Sequence, residues 1–178
     1  IMAVVQEKIL EPTIQAMEKE GRPYKGCLYA GLMITDKGPK VVEFNARFGD
    51  PETEVVLPLL DSDIYDIFEA VAEGRETAAP RFGKDVTMGV VLASKGYPGH
   101  YEKGFEIEGL DKVGCHVYHM GTKVSDGKIL TAGGRVLMCV CRAGSILEAK
   151  EKVYKEINGL HCDNLFYRKD IAHIALEK

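Results

Sequence analysis

The sequence predicts an α+β protein in which helices pack beside antiparallel strands, and three observations lead to this fold class. Apolar residues recur at helical spacing over 1–20 and 145–159. Stretches rich in β-branched and aromatic residues lie between them, most clearly at 26–45 and 86–93. Turn signals built from Asp, Gly and Pro join such stretches, which indicates antiparallel neighbours. With 178 residues, 46% of them hydrophobic, the chain can bury one or two cores.

The composition excludes several classes of partner. A net charge of −4 and a pI near 5.8, without a long run of like charges, argue against nucleic-acid binding. We expect no membrane partner, because we find no secretory signal and no apolar run long enough to span a bilayer. The five cysteines form no C-x-x-C motif, so we expect reduced thiols in a cytoplasmic protein. Cys139 and Cys141 share a strand face but lie too far apart to be joined.

The first 20 residues predict helix, interrupted at Pro12. Proline is favoured in the first turn of a helix, so we expect Pro12 to begin a second helix; the alternative is one kinked helix. Gly21 follows as a C-cap, because glycine adopts the left-handed conformation that ends many helices.

Residues 26–45 predict a β-hairpin that turns at an Asp-Lys-Gly-Pro sequence. Strand side chains alternate between the two faces of a sheet. Val42 and Phe44 therefore point one way and suit a core face. Glu43 and Asn45 point the other way, where they place a carboxylate beside an amide.

Glu43 and Asn45 are candidate metal ligands, since both offer hard oxygen atoms. Mg²⁺ favours one or two carboxylates and completes its octahedron with water and nucleotide phosphates. Arg47 follows two residues later. A guanidinium close to a metal-binding carboxylate indicates an anion between them, and a phosphoryl group is the natural candidate.

Asp50 is a candidate for binding a cationic group on a substrate. Gly49 and Pro51 on either side fix a tight loop that would hold the carboxylate in place. The alternative for Glu43 to Asp50 as a whole is a polar strand end that runs into a surface turn.

The segment from Asp50 to Gly74 predicts two helices. Acidic residues at 50–52 favour the start of a short first helix, which Pro58 limits. Asp61-Ser62-Asp63 caps the second, with Gly74 as its terminator. The apolar side chains expected to face inward are Ile64, Ile67, Phe68 and Val71.

A linker-like stretch at 75–84, small and polar with one proline, predicts a boundary between domains 1–76 and 77–178.

The strand at 86–93 runs into a Ser-Lys-Gly-Tyr-Pro-Gly loop, where Lys95 beside open backbone amides would suit a phosphate; the alternative is a plain inter-strand loop. Farther along, Gly133-Gly134 would let Arg135 reach a ligand phosphate. The alternative there is an arginine that closes a surface turn.

The remaining segments predict further strands and one helix. Residues 115–122 alternate as a strand, and His116 and His119 would face oppositely, so they cannot chelate one ion. A hairpin turn follows at 125–128 and an apolar strand at 136–143. The helix at 145–159 starts with a capping box, Ser145 with Glu148. Its expected inward side chains are Ile146, Leu147, Ala149, Val153 and Ile157.

Five motifs run along the chain in a fixed order: LYAGLM at 28–33, GPKVVEFNARFGDPE at 38–52, ASKGYPG at 93–99, GGRVL at 133–137 and YRKD at 167–170. Over nearly its whole length the chain resembles the phosphoribosylamine–glycine ligases of the ATP-grasp superfamily. The resemblance implies that 1–76 is the C-terminal part of an ATP-grasp domain, an antiparallel sheet with helices. It implies that 77–178 is a small, mainly antiparallel β domain with a packed helix. The missing N-terminal part of the same enzyme is then a partner, and we expect this portion alone to be inactive.

The resemblance also implies a reaction. ATP would phosphorylate the carboxylate of glycine, and the amine of 5-phosphoribosylamine would attack the glycyl phosphate, a step of purine synthesis. Mg²⁺ or Mn²⁺ is the implied cofactor. Glu43 and Asn45 would hold the metal, Arg47 and Asp50 would be catalytic, and Met33 would join Arg47 at the nucleotide. The implied substrate contacts are Asp50, Pro51, Lys95, Gly96, Tyr97, Gly134 and Arg135.

The chain departs from the family pattern near its end. Ala172 stands where the family usually has glycine, and Ile174 where it has arginine, so no substrate contact is assigned at 174. Two other interpretations stay open at this point. One is a different ATP-grasp carboxylate–amine ligase or carboxylase. The other is a non-catalytic binding module in which the Glu-x-Asn-x-Arg segment only stabilises a hairpin.

Overall fold

The structure is a computed structural model that describes residues 1–177. Lys178, the last residue of the predicted second domain, lies outside the described residues. The α+β class is confirmed, since antiparallel sheets and helices make up both parts of the chain. The contacts between residues divide it into two compact units: 1–50 with 61–81, and 51–60 with 82–177. No helix within residues 1–177 is long and apolar enough to cross a membrane.

The first unit begins with one helical stretch of three parts: α1 (Met2–Val5), a π-helical segment (Gln6–Leu10) and α2 (Glu11–Lys19). The backbone stays in the right-handed helical region where the parts meet. Pro12 lies in the first turn of α2, as expected, but this helix follows the π-helical segment without a break in the helical backbone. The wider π turn just before Pro12 is one of the known ways in which a helix accommodates such an interruption. Gly21, with φ +71°, follows the helix end as predicted.

The predicted hairpin is confirmed, with β1 at Tyr29–Thr35 and β2 at Gly38–Asn45. Its turn is shorter than the sequence indicated, because Gly38 and Pro39 already pair with β1. Thr35 closes the turn, since its hydroxyl donates to the Gly38 carbonyl at 2.9 Å.

The prediction that Val42 and Phe44 face a core is wrong for the chain as described. Val42 is 68% exposed and Phe44 is 42% exposed. Val42 is the extra residue of a β-bulge, and a two-stranded sheet has no second layer of its own to cover either face. The apolar character of a strand face thus predicts burial only where a partner surface is present.

The two helices after the hairpin are confirmed. A short α3 (Thr53–Val56) runs into a 3₁₀ turn (Leu57–Leu59) at Pro58, and α4 spans Ile64–Glu73. Asp63 caps α4 by accepting the Tyr65 amide at 2.8 Å. The prediction that Phe68 faces inward is wrong, since it is 47% exposed. One side of its ring contacts Phe48, and the two ring centroids lie 5.9 Å apart.

The second unit is built on a four-stranded antiparallel sheet in the order β4-β7-β3-β8, with a separate two-stranded hairpin. Its strands are β3 (Val86–Ser94), β4 (His116–His119), β5 (Thr122–Ser125), β6 (Lys128–Thr131), β7 (Arg135–Ala143) and β8 (Leu165–Phe166). The predicted turn between β5 and β6 is confirmed: Asp126 and Gly127 both have positive φ, as a two-residue hairpin loop requires.

Helix α5 (Ile146–Ile157) covers one face of this sheet, and Ser145 caps it by accepting the Glu148 amide, as predicted. The core between them contains the helix side chains Ala149, Val153 and Ile157 and strand side chains of β3 and β7. Leu147 is 52% exposed, so its predicted inward orientation is wrong. At about 100° per residue, Leu147 points more than about 100° away from the centre of the stripe formed by Ile146, Ala149, Val153 and Ile157, so helical spacing itself places it outside that stripe.

The backbone at Ala172, which the sequence left open, is left-handed with φ +64°, just before α6 (His173–Leu176). A Cβ in this region costs about 1 kcal/mol or more, which glycine avoids. We therefore expect Ala172→Gly to raise the free energy of unfolding of the second unit by about 1 kcal/mol, and Ala172→Val to lower it. Urea unfolding, monitored by hydrogen exchange of the β3 and β7 amides, measures the free energy of unfolding of both variants. An unchanged free energy of unfolding in Ala172→Gly would show that the alanine is unstrained.

Candidate functional site

Glu43 and Asn45 lie together at the end of β2, on one face of the hairpin. The Asn45 amide nitrogen donates to Glu43 Oε1 at 3.0 Å, so the two side chains touch. Glu43 is exposed and Asn45 is half-buried. The pair is therefore accessible to a ligand from solvent in the chain as described.

A β-bulge shapes this end of the hairpin. Gly31 pairs with Glu43, whereas Leu32 pairs with Val41, so Val42 is the extra residue. Bulges bend a strand and re-aim the side chains beside them. A Cβ added at Gly31 would lie 3.1 Å from Glu43 Cγ. The absence of a side chain at Gly31 thus leaves Glu43 room beside β1.

The chemistry of this donor set fits a hard divalent ion, because a carboxylate and an amide oxygen are ligands that Mg²⁺ accepts. The amide of Asn45 turns its nitrogen toward Glu43. A half-turn of the amide group, whose two ends X-ray methods rarely distinguish, would present the oxygen instead. Within residues 1–177 no group of three or more His, Cys, Asp or Glu side chains is arranged to hold a metal. An ion here would need oxygens from phosphate and water.

Arg47 and Asp50 follow on the loop beyond β2, and both are exposed. The Arg47 guanidinium donates to the Phe48 carbonyl at 2.9 Å, which holds the side chain along its own loop. Gly49 between them is buried. Phe48 and the buried Gly49 anchor the loop, and Pro51 continues it into the turn before α3.

Met33 lies on β1 and is 59% exposed. Met33 is therefore not packed into a core of the described residues. Its thioether is available on the hairpin for contact with a ligand or with another part of the protein.

Five predicted residues of the second unit come together where β3 ends and β7 begins: Lys95, Gly96, Tyr97, Gly134 and Arg135, the glycine-loop cluster. Arg135 pairs with Ala93 across a bulge in the sheet. The Ser94 amide donates to the Gly134 carbonyl at 2.8 Å. A Cβ on Gly134 would lie 2.3 Å from the Tyr97 ring, so glycine is required for this packing.

The expectation of open amides in this loop is wrong at two positions. The Lys95 amide donates to the Asn164 carbonyl at 2.9 Å, and the Tyr97 amide donates to the Ser94 carbonyl at 3.0 Å. Gly96 has φ +96°, and a Cβ there would lie 2.1 Å from the His100 carbonyl. An anion at this cluster would therefore rely on the side chains of Lys95 and Arg135 more than on those amides.

Sequence reasoning missed a recess of about 520 Å³ lined in part by Glu54, His116 and Tyr118. Glu54 Oε2 is buried and has no hydrogen-bond partner within residues 1–177. The pKa of Tyr118 is raised, first by burial and then by the charge of Glu54. An acid in the first helical turn is common, so nothing in the local sequence distinguishes Glu54 from other such residues.

Comparison with known families places the chain across two adjacent domains. Residues 1–53 match the model for the phosphoribosylglycinamide synthetase ATP-grasp (A) domain. Residues 87–174 match the model for the phosphoribosylglycinamide synthetase C domain.

Proteins of similar sequence and structure have names that agree with these two domain matches. A phosphoribosylamine–glycine ligase of Caldanaerobacter subterraneus is 52% identical over 170 residues, which is 94% of this chain and 41% of that protein. The human trifunctional purine biosynthetic protein adenosine-3 is 41% identical over 181 residues, covering 99% of this chain and 18% of that protein. The crystal structure of a Thermotoga maritima phosphoribosylamine–glycine ligase superposes with a TM-score of 0.84 at 35% identity, over 92% of this chain and 41% of that one.

Proposed function

Because the chain belongs to the phosphoribosylglycinamide synthetase family, we propose that it is the C-terminal portion of an enzyme that joins glycine to 5-phosphoribosylamine. ATP would be converted to ADP and phosphate in the reaction, a step of purine synthesis in the cytoplasm. The observation that carries the proposal is the contact between Glu43 and Asn45 on an accessible hairpin face, within the segment that matches the family's ATP-grasp domain.

The chain spans about 41% of the length of the bacterial relatives that it matches. The proposed activity therefore depends on sequence that these relatives have in addition to the part matched here. We propose that residues 1–76 and 77–178 correspond to the two domains that the linker separates, and that the 178-residue chain has no ligase activity by itself.

The proposed chemistry brings several anions together. The carboxylate of glycine attacks the terminal phosphoryl group of ATP, and the resulting glycyl phosphate is then attacked by the amine of 5-phosphoribosylamine. Two negatively charged reactants repel one another unless fixed positive charges offset them. A bound divalent ion would supply such charge at the phosphates.

The hairpin end supplies the residues for this task. Glu43 and Asn45 would hold Mg²⁺ or Mn²⁺ through their side-chain oxygens. Arg47, two residues beyond Asn45 on an exposed loop, would bind and orient the transferring phosphoryl group. Met33, exposed on the neighbouring strand, would pack against the nucleotide.

The substrate residues divide between two places in the chain. Asp50, in the loop anchored by Phe48, would bind the glycine ammonium, with Pro51 shaping the turn. In the glycine-loop cluster, Lys95 and Arg135 would bind the ribose phosphate, because cations pair well with phosphate oxygens. Gly96, Tyr97 and Gly134 would contact the same substrate and hold that loop in shape.

The proposed function is tested by the intact protein that carries this sequence. Purified protein should form ADP only when ATP, glycine and 5-phosphoribosylamine are all present. Replacing glycine by other amino acids separates this ligase from other ATP-grasp ligases. ADP formation with a different carboxylate, and none with glycine, would overturn the assignment.

Asp50→Asn is expected to raise the KM for glycine by at least about tenfold, since a buried or oriented charge pair contributes more than about 1.4 kcal/mol to binding. The KM for ATP should stay within about threefold. Steady-state kinetics on the intact protein measures both, with Asp111→Asn, an exposed acid of the second unit, as the matched control. An unchanged KM for glycine would remove this role from Asp50.

A further inference from the structure

Three of the five cysteines meet on the face of the second sheet that helix α5 covers: Cys115, Cys139 and Cys141, the cysteine cluster. Cys139 and Cys141 lie on β7 and are almost fully buried, with exposures of 0% and 2%. Cys115 precedes β4 and is half-buried. The thiol of Cys115 lies within hydrogen-bonding reach of both others. All five cysteines are free thiols in the structure.

The paired residues of β4 and β7 begin at His116 and Val140, and Cys115 precedes this ladder by one residue. His116 pairs with Val140 and Val117 with Cys139, so the same antiparallel register extended by one residue pairs 115 with 141. The Met120 amide donates to the Val136 carbonyl at 3.0 Å, in the same register, which makes that pair a hydrogen-bonded one. Pairs alternate along the ladder, so Cys115 and Cys141 occupy a non-hydrogen-bonded position.

Non-hydrogen-bonded pairs bring opposite Cα atoms to about 4.5 Å. This lies within the range of about 4.4–6.8 Å that a disulfide spans. Cys139 is diagonal to Cys115, where the Cα separation rises to about 7–8 Å, beyond that range. The extended register thus favours Cys141 over Cys139 as the disulfide partner of Cys115, although both thiols lie within hydrogen-bonding reach of it.

Both members of this pair open onto one small cavity of about 260 Å³. The side chains around it are His116, Arg142 and Lys152, and Glu156 adds a negative charge nearby. The volume admits a small reagent to Cys115 and Cys141 together. Cys139 does not line the cavity, so it is enclosed by comparison.

The cluster favours one thiolate. A hydrogen bond from the Cys139 thiol lowers the pKa of Cys115 to about 7, with a second from Cys141, although burial and Glu156 act in the opposite direction. Burial is the largest cause that raises the pKa of Cys141 to about 12. The pKa of Cys139 is raised, first by its hydrogen bond to Cys115. Of the three thiols in the cysteine cluster, Cys115 is thus the one that ionises near neutral pH.

We propose that Cys115 and Cys141 form a modification site at which a small hydroperoxide oxidises Cys115 and Cys141 resolves the product to a cross-strand disulfide. The Cys115 thiolate attacks one peroxide oxygen, the O–O bond breaks, and the sulfur loses two electrons to become a sulfenic acid. The peroxide is reduced to water or an alcohol after taking a proton from solvent. Cys141 sulfur then displaces the sulfenic oxygen, which leaves as water with the Cys141 proton.

Two other cysteines provide internal controls. Burial raises the pKa values of Cys27 and Cys162, and both are half-buried like Cys115. At pH 7 a thiol with a pKa of about 7 is about half ionised, whereas a thiol whose pKa is raised by burial stays mostly protonated. A more acidic thiol gives a less nucleophilic thiolate, and this reduces the rate advantage expected from the larger ionised fraction by roughly tenfold. Cys115 should therefore react with iodoacetamide at least about fivefold faster than either control.

The experiment uses the intact protein and maps each thiol by mass spectrometry. After limited iodoacetamide at pH 7, Cys115 is expected to carry the most label. After hydrogen peroxide, wild-type protein is expected to contain a Cys115–Cys141 disulfide, and Cys139→Ser should still form it. In Cys141→Ser, dimedone should trap a sulfenic acid on Cys115.

Three results would overturn the proposal. The first is labelling of Cys115 no faster than that of Cys162. The second is a reduced Cys115 after peroxide both in the wild type and in Cys141→Ser. The third is a crosslink between Cys115 and Cys139, which would contradict the register that assigns Cys141 as the resolving thiol.

Discussion

Glu43→Ala in the intact protein is expected to lower kcat/KM for ligation by at least about 100-fold. The side chain is the only carboxylate of the proposed metal pair. A metal ion that offsets charge in a phosphoryl-transfer transition state contributes several kcal/mol, and about 1.4 kcal/mol corresponds to tenfold in rate. Losing the carboxylate would also leave Asn45 with one fewer neighbour to orient its amide. Steady-state kinetics over a Mg²⁺ titration measures the effect.

Two variants make this result specific. Glu43→Gln keeps one oxygen in place without the charge, so its loss should be smaller than that of alanine. Glu151→Ala removes an exposed acid from α5 and should change kcat/KM by less than about threefold. If Glu43→Ala also stays within threefold, the hairpin pair has no part in catalysis and the non-catalytic interpretation of the segment becomes the better one.

Leu137→Ala is expected to lower the free energy of unfolding of the second unit by about 3 kcal/mol. Leu137 is 0% exposed in the middle of β7 and pairs with Leu92, which is 2% exposed. Removing a buried leucine side chain costs the transfer energy of its atoms and leaves a cavity, in total about 2–5 kcal/mol. Hydrogen exchange of the β3 and β7 amides in the intact protein measures the change locally.

The matched control is Leu147→Ala on α5. Leu147 is 52% exposed and lies outside the buried stripe of the helix. Its truncation should cost less than about 1 kcal/mol, since most of its surface already contacts solvent. Equal losses for the two variants would mean that the β3–β7 centre is not the core of this unit.

Local signals in the sequence predicted most elements. The Asp126-Gly127 turn, the Ser145 cap and the Asp63 cap depend on residues within a few positions of one another, and each is confirmed. Alternation along β2 also predicted that Glu43 and Asn45 share a face. Such features are set by backbone geometry, so they need no knowledge of distant parts of the chain.

Burial was less predictable, for a physical reason. Val42, Phe44 and Phe68 are apolar residues that periodicity predicted to face inward, yet each is exposed. Periodicity tells which side chains point together, but a distant surface decides whether they are covered. The bulge at Val42 is likewise invisible in the sequence, because it depends on how β1 and β2 pair.

The cysteine cluster and the glycine-loop cluster show the same limit at the level of chemistry. Spacing showed that Cys139 and Cys141 share a face, but only the register of β4 against β7 brings Cys115 to them. The amides of Lys95 and Tyr97 were expected to be open. Instead, the Lys95 amide donates to the distant Asn164 carbonyl and the Tyr97 amide to the nearby Ser94 carbonyl. Hydrogen-bond partners across a fold are set by tertiary structure, which one sequence does not reveal.

Mn²⁺ binding followed by electron paramagnetic resonance tests the hairpin metal pair most directly. Mn²⁺ is titrated into ATP with and without the intact protein, because ATP alone binds Mn²⁺, and the difference between the two free-ion signals reports binding to the protein. The wild type should bind one Mn²⁺ with the nucleotide, and Glu43→Ala and Asn45→Ala should each weaken binding by more than about tenfold. Equal Mn²⁺ affinity in the wild type and both variants would contradict the assignment of these two side chains as metal ligands.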